Sequence, residues 1–146
     1  MIKNYKKKTR EVYDKFPEYF DKKFREYILK FIKKELDRIS KKFPKGAKIL
    51  DLGSGPGNHA LFLKNKGFDV LCLDISESML QKCKEKGLNT IKSDIENLNF
   101  KEGDFDVIWA YTSLLHIPKS NIKSIIRKIH YIIKEDGFFF LSLKEG

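Results

Sequence analysis

The chain of 146 residues contains little cysteine and no long apolar run. Its two cysteines, Cys72 and Cys83, form neither a CxxC pair nor a cluster with histidines, so no disulfide framework, zinc site or other metal site is expected. No apolar run approaches the ~20 residues that cross a bilayer. No apolar segment follows the basic start MIKNYKKKTR, as it would in a secretory signal. These absences predict a cytoplasmic protein without a membrane partner.

Positive charge is concentrated in the first third of the chain. The formal net charge is +10, and residues 1–48 hold the whole excess, with 17 basic and 7 acidic side chains. One interpretation is a surface for nucleic acid. The alternative is a solvated helix face. It is favoured because lysine outnumbers arginine by 26 to 4, and arginine is better suited to phosphates and bases. Nucleic acid is therefore disfavoured as a partner.

An N-terminal amphipathic helix is predicted from Glu18 to Phe43. Its apolar residues recur at steps of three and four: Phe20, Phe24, Tyr27, Ile28, Phe31, Ile32, Leu36, Ile39 and Phe43. Lysines fall mainly on the opposite side, and Pro44 and Gly46 end the helix. Residues 1–46 are therefore predicted to form a basic helical segment in front of a second unit, residues 47–146.

From residue 48 onward, short β-rich runs alternate with helical runs. Strands are predicted at Lys48–Leu52, Asp69–Asp74, Thr90–Ser93, Phe105–Tyr111 and Phe138–Leu143. Helices are predicted at Asn58–Lys66, from a Ser76 cap to Lys86, and at Pro118–Lys134. This alternation predicts an α/β fold in which a parallel sheet is covered by helices on both faces.

The stretch DLGSGPGN, which follows the first predicted strand, holds Gly53, Gly55 and Gly57. Glycine permits positive φ and lets a ligand approach the backbone, although a tight turn without a ligand is an alternative. Asp74 ends the second strand 19 residues after Gly55, where a carboxylate can hold a ribose or cap the next helix. Position 58 is Asn, so the dinucleotide pattern GxGxxG/A is not matched, and no GK[ST] follows as in a P-loop.

The chain resembles class I S-adenosylmethionine-dependent methyltransferases, in particular the small-molecule methyltransferase domains with a D-x-S-x-x-M-L segment. Four segments carry the resemblance, in order over about residues 47–144: DLGSGPG, LCLDISESML, SDIENL and FDVIWAYTSLLHIP. It implies a Rossmann-like, doubly wound parallel sheet with strand order 3-2-1-4-5. It also implies S-adenosylmethionine as cofactor and methyl transfer to a small-molecule acceptor.

The resemblance assigns residues to each part of the cofactor. Those implied around its methionine part are Asp51, Gly53, Ser54, Gly55 and Gly57. Asp74 would hold the ribose hydroxyls. Ile75 and Met79 would lie against the adenine, Asp94 and Ile95 near its amino edge, and Ala110 and Tyr111 toward the methionine end. For Met79 and Ile95 a core position is the alternative, and for Asp94 a turn.

His116 is the candidate catalytic base. Attack on a sulfonium methyl depends mainly on orientation, and it needs a base only where the nucleophile is poorly activated. His116 follows the fourth strand, and imidazole titrates near neutrality; a structural histidine is the alternative. His59 and His130 are expected to be structural.

The chain departs from the family pattern after its fifth strand. The family sheet has seven strands, whereas this chain stops at SLKEG, after FFFLSL. That strand would form an exposed apolar edge, which predicts a homodimer or marginal stability. Two further interpretations stay open: a catalytically incomplete cofactor-binding module or fragment, and an RNA-directed methyltransferase that uses the basic helix.

Overall fold

A computed structural model describes residues 4–27, 30, 32–111, 114 and 117–142. Five parallel strands form one sheet in the order β3-β2-β1-β4-β5. In chain order they are β1 Lys48–Leu52, β2 Asp69–Asp74, β3 Asn89–Lys92, β4 Phe105–Tyr111 and β5 Ile133–Ser142. The predicted Rossmann-like sheet and its strand order are confirmed. The carboxyl ends of β2, β1 and β4 therefore lie side by side at one edge of the sheet.

Six helices of the described chain surround this sheet: α1 Asn4–Lys15, α2 Pro17–Tyr27, α3 Lys33–Lys42, α4 Asn58–Asn65, α5 Glu77–Glu85 and α6 Lys119–Ile132. Helix α1 lies within residues 1–46, for which a helical segment is predicted, but no bounds are predicted for it because its sequence is mostly polar. The helix predicted to run from Glu18 to Phe43 corresponds to α2 and α3, with residues 28, 29 and 31 outside the described part. Within that part, no helix combines the length and apolarity needed to cross a bilayer.

The strand β5 begins five residues earlier than predicted. Ile133 pairs with Phe105, and the next partners are Phe138 and Val107, so residues 134–137 form a bulge where the sequence suggests a turn. Gly137 allows this bulge, because a Cβ there would lie 2.5 Å from Ile133 Cγ1 and 2.8 Å from the Lys134 carbonyl oxygen.

The core has one layer on each face of the sheet. Along β1, Ile49 belongs to the first layer and Leu50 and Leu52 to the second, as alternation along a strand requires. The first layer includes Leu36 and Ile39 of α3 and Leu63 of α4. The second includes Ile125, Ile129 and Ile132 of α6. Since α3 shares a core with the sheet, the division into residues 1–46 and 47–146 stays a prediction.

Candidate cofactor site

The glycine loop, residues 53–57, connects β1 to α4 at the carboxyl edge of the sheet. The N–H groups of Gly53 and Ser54 both donate to the Leu73 carbonyl oxygen, at 2.8 and 3.0 Å. The loop is therefore held against the end of β2 rather than projecting freely into solvent.

Gly57 is required by both its backbone angle and its surroundings. Its φ is +87°, and a Cβ there would lie 2.7 Å from Leu88 Cδ1 and 2.8 Å from Cys83 Sγ. It immediately precedes α4, and its carbonyl accepts the N–H of Leu61 at 2.8 Å. Any larger residue would require the loop or the side chains of Cys83 and Leu88 to shift.

Asp74 joins the glycine loop to the turn before α5. Its Oδ2 accepts the Gly55 N–H and its Oδ1 accepts the Ser76 N–H, each at 2.9 Å. The pKa of Asp74 is raised from 3.8 to about 6, mainly by burial and also by nearby Asp14. Hydrogen bonds from Ser76, Gly55 and Ile75 act in the opposite direction. A carboxylate has about four acceptor positions, so these three backbone N–H groups leave room for a hydroxyl to donate to it.

Asp51 is a buried carboxyl without full hydrogen bonding. It is the last residue but one of β1, near the glycine loop, and is 3% exposed; its Oδ2 has no hydrogen-bond partner within the described chain. Burial raises the pKa of Asp51 well above 3.8, and the nearby Cys83 and Asp74 raise it further. An unsatisfied buried carboxyl under this loop fits a site for a positively charged ligand.

The remaining predicted residues occupy the same edge of the sheet. Ser93 N–H donates to the Asp74 carbonyl at 3.1 Å, which places Asp94 and Ile95 beside the end of β2. Asp94 also accepts the Glu96 N–H at 2.9 Å and so caps the short 3₁₀ helix Ile95–Asn97. Across the site, Ala110 is buried and Tyr111 partly buried at the end of β4.

Beside Asp74, Ile75 is partly buried and Met79 is fully buried. Met79 is therefore a core residue in this structure, and its predicted contact with adenine stays a prediction. His116 lies outside the described residues, so its predicted role is also untested.

His59, in the first turn of α4, is buried against β4. Its Nδ1 accepts the Trp109 Nε1–H at 2.9 Å, and its ring lies 4.9 Å from that of Tyr111 between centroids. Burial lowers the pKa of His59 from 6.5 to about 4. The imidazole is therefore neutral near pH 7, in agreement with the expected structural role.

Two residues that touch the loops of the site were not predicted from the sequence. Asp14 of α1 accepts hydrogen bonds from Ser76 Oγ and Ser78 Oγ at the start of α5. Asp21 of α2 contacts Asn58 and Lys86, which border the glycine loop. Only their acidic character within a basic segment could have drawn attention to Asp14 and Asp21.

The cysteine Cys83 packs against the same loop. Its thiol and that of Cys72 are free and buried. Cys83 Sγ donates to the Gly55 carbonyl oxygen at 3.2 Å and lies 3.6 Å from Ser54 Oγ. The glycine loop thus rests directly on α5.

Comparison with known proteins identifies the family. A family model described as "Methyltransferase domain" matches residues 49–137, more than half of the chain. The chain belongs to this methyltransferase-domain family. The expected cofactor, S-adenosylmethionine, is confirmed by this match and by the solved structures of S-adenosylmethionine-dependent methyltransferases that the fold resembles.

Three relatives illustrate the likeness. The sarcosine/dimethylglycine N-methyltransferase of Aphanothece halophytica is 36% identical over 112 residues, covering 70% of this chain and 39% of the relative. The enzyme of the same name from Halorhodospira halochloris is 26% identical over 116 residues, covering 73% and 41%. The crystal structure of a TehB-like S-adenosylmethionine-dependent methyltransferase from Corynebacterium glutamicum is 26% identical, with a TM-score of 0.71 and coverage of 83% and 68%. The chain thus spans about two fifths of the length of these two N-methyltransferases.

Proposed function

We propose that this chain transfers a methyl group from S-adenosylmethionine to a small-molecule acceptor. The observation that carries the proposal is the junction of the glycine loop with Asp74, through the Gly55 hydrogen bond, above the unsatisfied carboxyl of Asp51. When bound, the cofactor supplies a methyl group on a positively charged sulfur. The contribution of the chain is to hold and orient the reactants at the carboxyl edge of the sheet.

The proposed binding roles rest on the family resemblance and are supported by the positions of the side chains. Asp74 would accept the ribose hydroxyls with its remaining lone pairs. The backbone of residues 53–57 would face the methionine part, and Asp51 would pair with its ammonium group. That pairing would favour the ionised form of a carboxyl whose pKa burial has raised. Ile75, Met79, Asp94 and Ile95 are proposed for the adenine, and Ala110 and Tyr111 for the methionine end.

A small amine is the acceptor class that we favour. The matched N-methyltransferases are named for sarcosine and dimethylglycine, both of which are small amines. Tyr111 ends β4 at the proposed methionine end, where an acceptor has to meet the methyl group. An ammonium acceptor must lose a proton before it attacks, and we propose His116 as the base that takes it.

The test measures binding and transfer separately. Calorimetry with S-adenosylhomocysteine and with NAD should show binding of the first only. A labelled methyl group should then be transferred to members of a panel of small amines and thiols. His116→Gln should slow this transfer without weakening the binding of S-adenosylhomocysteine. An RNA acceptor would contradict the small-molecule assignment. In that case RNA would take up the labelled methyl group, and the affinity of the chain for RNA would fall steeply with salt.

A second candidate, a cofactor-binding module that requires a partner, is favoured by the open edge of β5. Within the described chain β5 pairs only with β4, and Leu141 near its end is 37% exposed. We propose that a second copy of the chain covers this edge. Binding of S-adenosylhomocysteine by a chain that methylates no member of the panel would support the module and contradict the proposed activity.

A further inference from the structure

Three acidic residues, Asp14 of α1 and Glu18 and Asp21 of α2, contact residues at α5. Asp14 caps the start of α5 through Ser76 and Ser78, Glu18 forms an ion pair with Lys82, and Asp21 forms one with Lys86. Glu18 and Asp21 lie three residues apart on α2, which places them on the same side of that helix. These carboxylates, in a segment of strongly positive charge, attach the N-terminal helices to α5.

Asp21 differs from the other two because it is connected to the glycine loop. Its Oδ1 accepts Asn58 Nδ2 at 2.9 Å, and its carbonyl oxygen accepts the same nitrogen at 3.2 Å. Lys86 Nζ donates to Asp21 Oδ1 at 3.2 Å and to the Pro56 carbonyl oxygen at 2.9 Å. Asp21 therefore holds the residue after Gly57 directly and the residue before Gly57 through Lys86.

The burial of this network makes its parts interdependent. The side chains of Asp21 and Lys86 are 13% and 16% exposed, and the pair lies between α2, α5 and the start of α4. Burial raises the pKa of Asp21, but hydrogen bonds from Asn58 and Lys86 outweigh it and leave the pKa below 3.8, so the carboxylate is charged near neutrality. If Asp21 is removed, Lys86 is left as a mostly buried charge without its partner, and its most direct relief is to turn toward water and release Pro56.

We propose that Asp21 is a positioning residue for the cofactor, acting through Asn58 and Lys86 on residues 56–58. The proposal deepens the proposed function and rests on it, since it requires that the glycine loop binds S-adenosylmethionine. The backbone of this loop is the binding surface, and a loop that samples several positions binds more weakly because binding must then fix one of them.

The experiment compares the affinity for S-adenosylhomocysteine across matched variants of the full chain, by calorimetry. Asp21→Ala should raise Kd by at least about tenfold, which corresponds to ~1.4 kcal/mol. Asp21→Asn keeps an acceptor for Asn58 but loses the charge that holds Lys86, and it should have an intermediate Kd. Glu18→Ala is the control at the same interface: it removes the ion pair with Lys82, which does not touch the glycine loop, and Kd should change less than twofold.

A second control separates positioning from general loss of stability. Ile129→Val shortens a side chain of α6 that is buried in the other core layer. Urea unfolding should show that it destabilises the protein while Kd for S-adenosylhomocysteine stays within twofold. If Asp21→Ala does not fold, Lys86→Met tests the same link, because it removes the contact with Pro56 and should raise Kd by a similar factor.

Three results would count against the proposal. An unchanged Kd in Asp21→Ala and Lys86→Met, in a chain whose wild type binds S-adenosylhomocysteine, overturns the role of Asp21 and leaves the proposed function intact. An equal rise of Kd in Ile129→Val would show that Asp21 acts only through stability. A wild-type chain that does not bind S-adenosylhomocysteine would overturn the proposed function itself, and the role of Asp21 with it.

Discussion

Acidification should destabilise the protein through His59, a buried imidazole at the start of α4. Its Nδ1 accepts the Trp109 Nε1–H at 2.9 Å, and this fixes the neutral form that carries its proton on Nε2. Protonation of Nδ1 would abolish the hydrogen bond and place two N–H groups against each other. A variant that accepts the Trp109 hydrogen bond without titrating, His59→Asn, isolates this effect.

The magnitude follows from the difference between the folded and unfolded proteins. Burial lowers the pKa of His59 from 6.5 to about 4, so between these values the unfolded chain binds a proton that the folded chain does not. The stabilising contribution of neutral His59 is complete above pH 6.5 and is lost as the pH falls toward 4. At ~1.4 kcal/mol per pH unit, the loss amounts to about 3 kcal/mol.

Asp74 works in the opposite direction over almost the same range. Its pKa is raised from 3.8 to about 6, so it favours the folded state at low pH, and this contribution falls as the pH rises from 3.8 to 6. These two effects oppose each other between pH 4 and 6, and the raised pKa of Asp51 acts in the same direction as that of Asp74, so the pH dependence of the wild type alone does not reveal the contribution of His59. Their separation requires the variants His59→Asn and Asp74→Asn.

Urea unfolding monitored by fluorescence provides the assay, because Trp109 is the only tryptophan in the chain and is buried beside His59. The free energy of unfolding of the wild type minus that of His59→Asn should fall by about 3 kcal/mol from pH 7 to pH 4. The corresponding difference for Asp74→Asn should change in the opposite sense. A difference for His59→Asn that does not vary with pH would refute the reasoning.

Three further predictions concern the loop, the carboxyl below it and the edge of the sheet. Gly57→Ala should destabilise the protein by roughly 2–4 kcal/mol in urea unfolding, from backbone strain and crowding together. Gly46→Ala, which has the same φ of +87° but no atom within 4 Å of its Cβ, should cost only about 1 kcal/mol; equal losses would disprove the crowding. Asp51→Asn removes a charge that burial already disfavours, so it should change stability by under ~1 kcal/mol yet weaken binding of S-adenosylhomocysteine about tenfold in calorimetry, and an unchanged affinity would remove Asp51 from the site. Sedimentation should show that the chain dimerises and that Leu141→Lys shifts it toward monomer, whereas a monomeric, thermally stable wild type would rule out pairing through β5.

Much of the fold could be predicted from local sequence patterns. The β1 run KILDL, the glycines after it and the alternation of strands with helices identify the doubly wound sheet, because each pattern reflects contacts within a few residues. Asp74 could be predicted in the same way, because it ends the strand next to the one that leads into the glycine loop. The structure adds the hydrogen bond between Asp74 and Gly55, at 2.9 Å.

The parts that sequence did not predict depend on contacts between distant segments. The helix α1 is mostly polar, and its contacts with α5 include the polar Asp14. Asp21 lies 37 residues from Asn58 and 65 from Lys86, so no local spacing relates them. The early start of β5 depends on Gly137 fitting against Ile133, which only the folded backbone reveals.

The most direct test of the account is a calorimetric titration of S-adenosylhomocysteine into the wild type and into Asp74→Ala, with NAD as a parallel ligand. The central claim is that the glycine loop and the end of β2 together hold an adenosyl cofactor. It predicts that the wild type binds S-adenosylhomocysteine and does not bind NAD. It also predicts a loss of about 1–3 kcal/mol in Asp74→Ala, or roughly 5- to 150-fold in Kd. Equal affinity of the two proteins, or binding of NAD in place of S-adenosylhomocysteine, would contradict it.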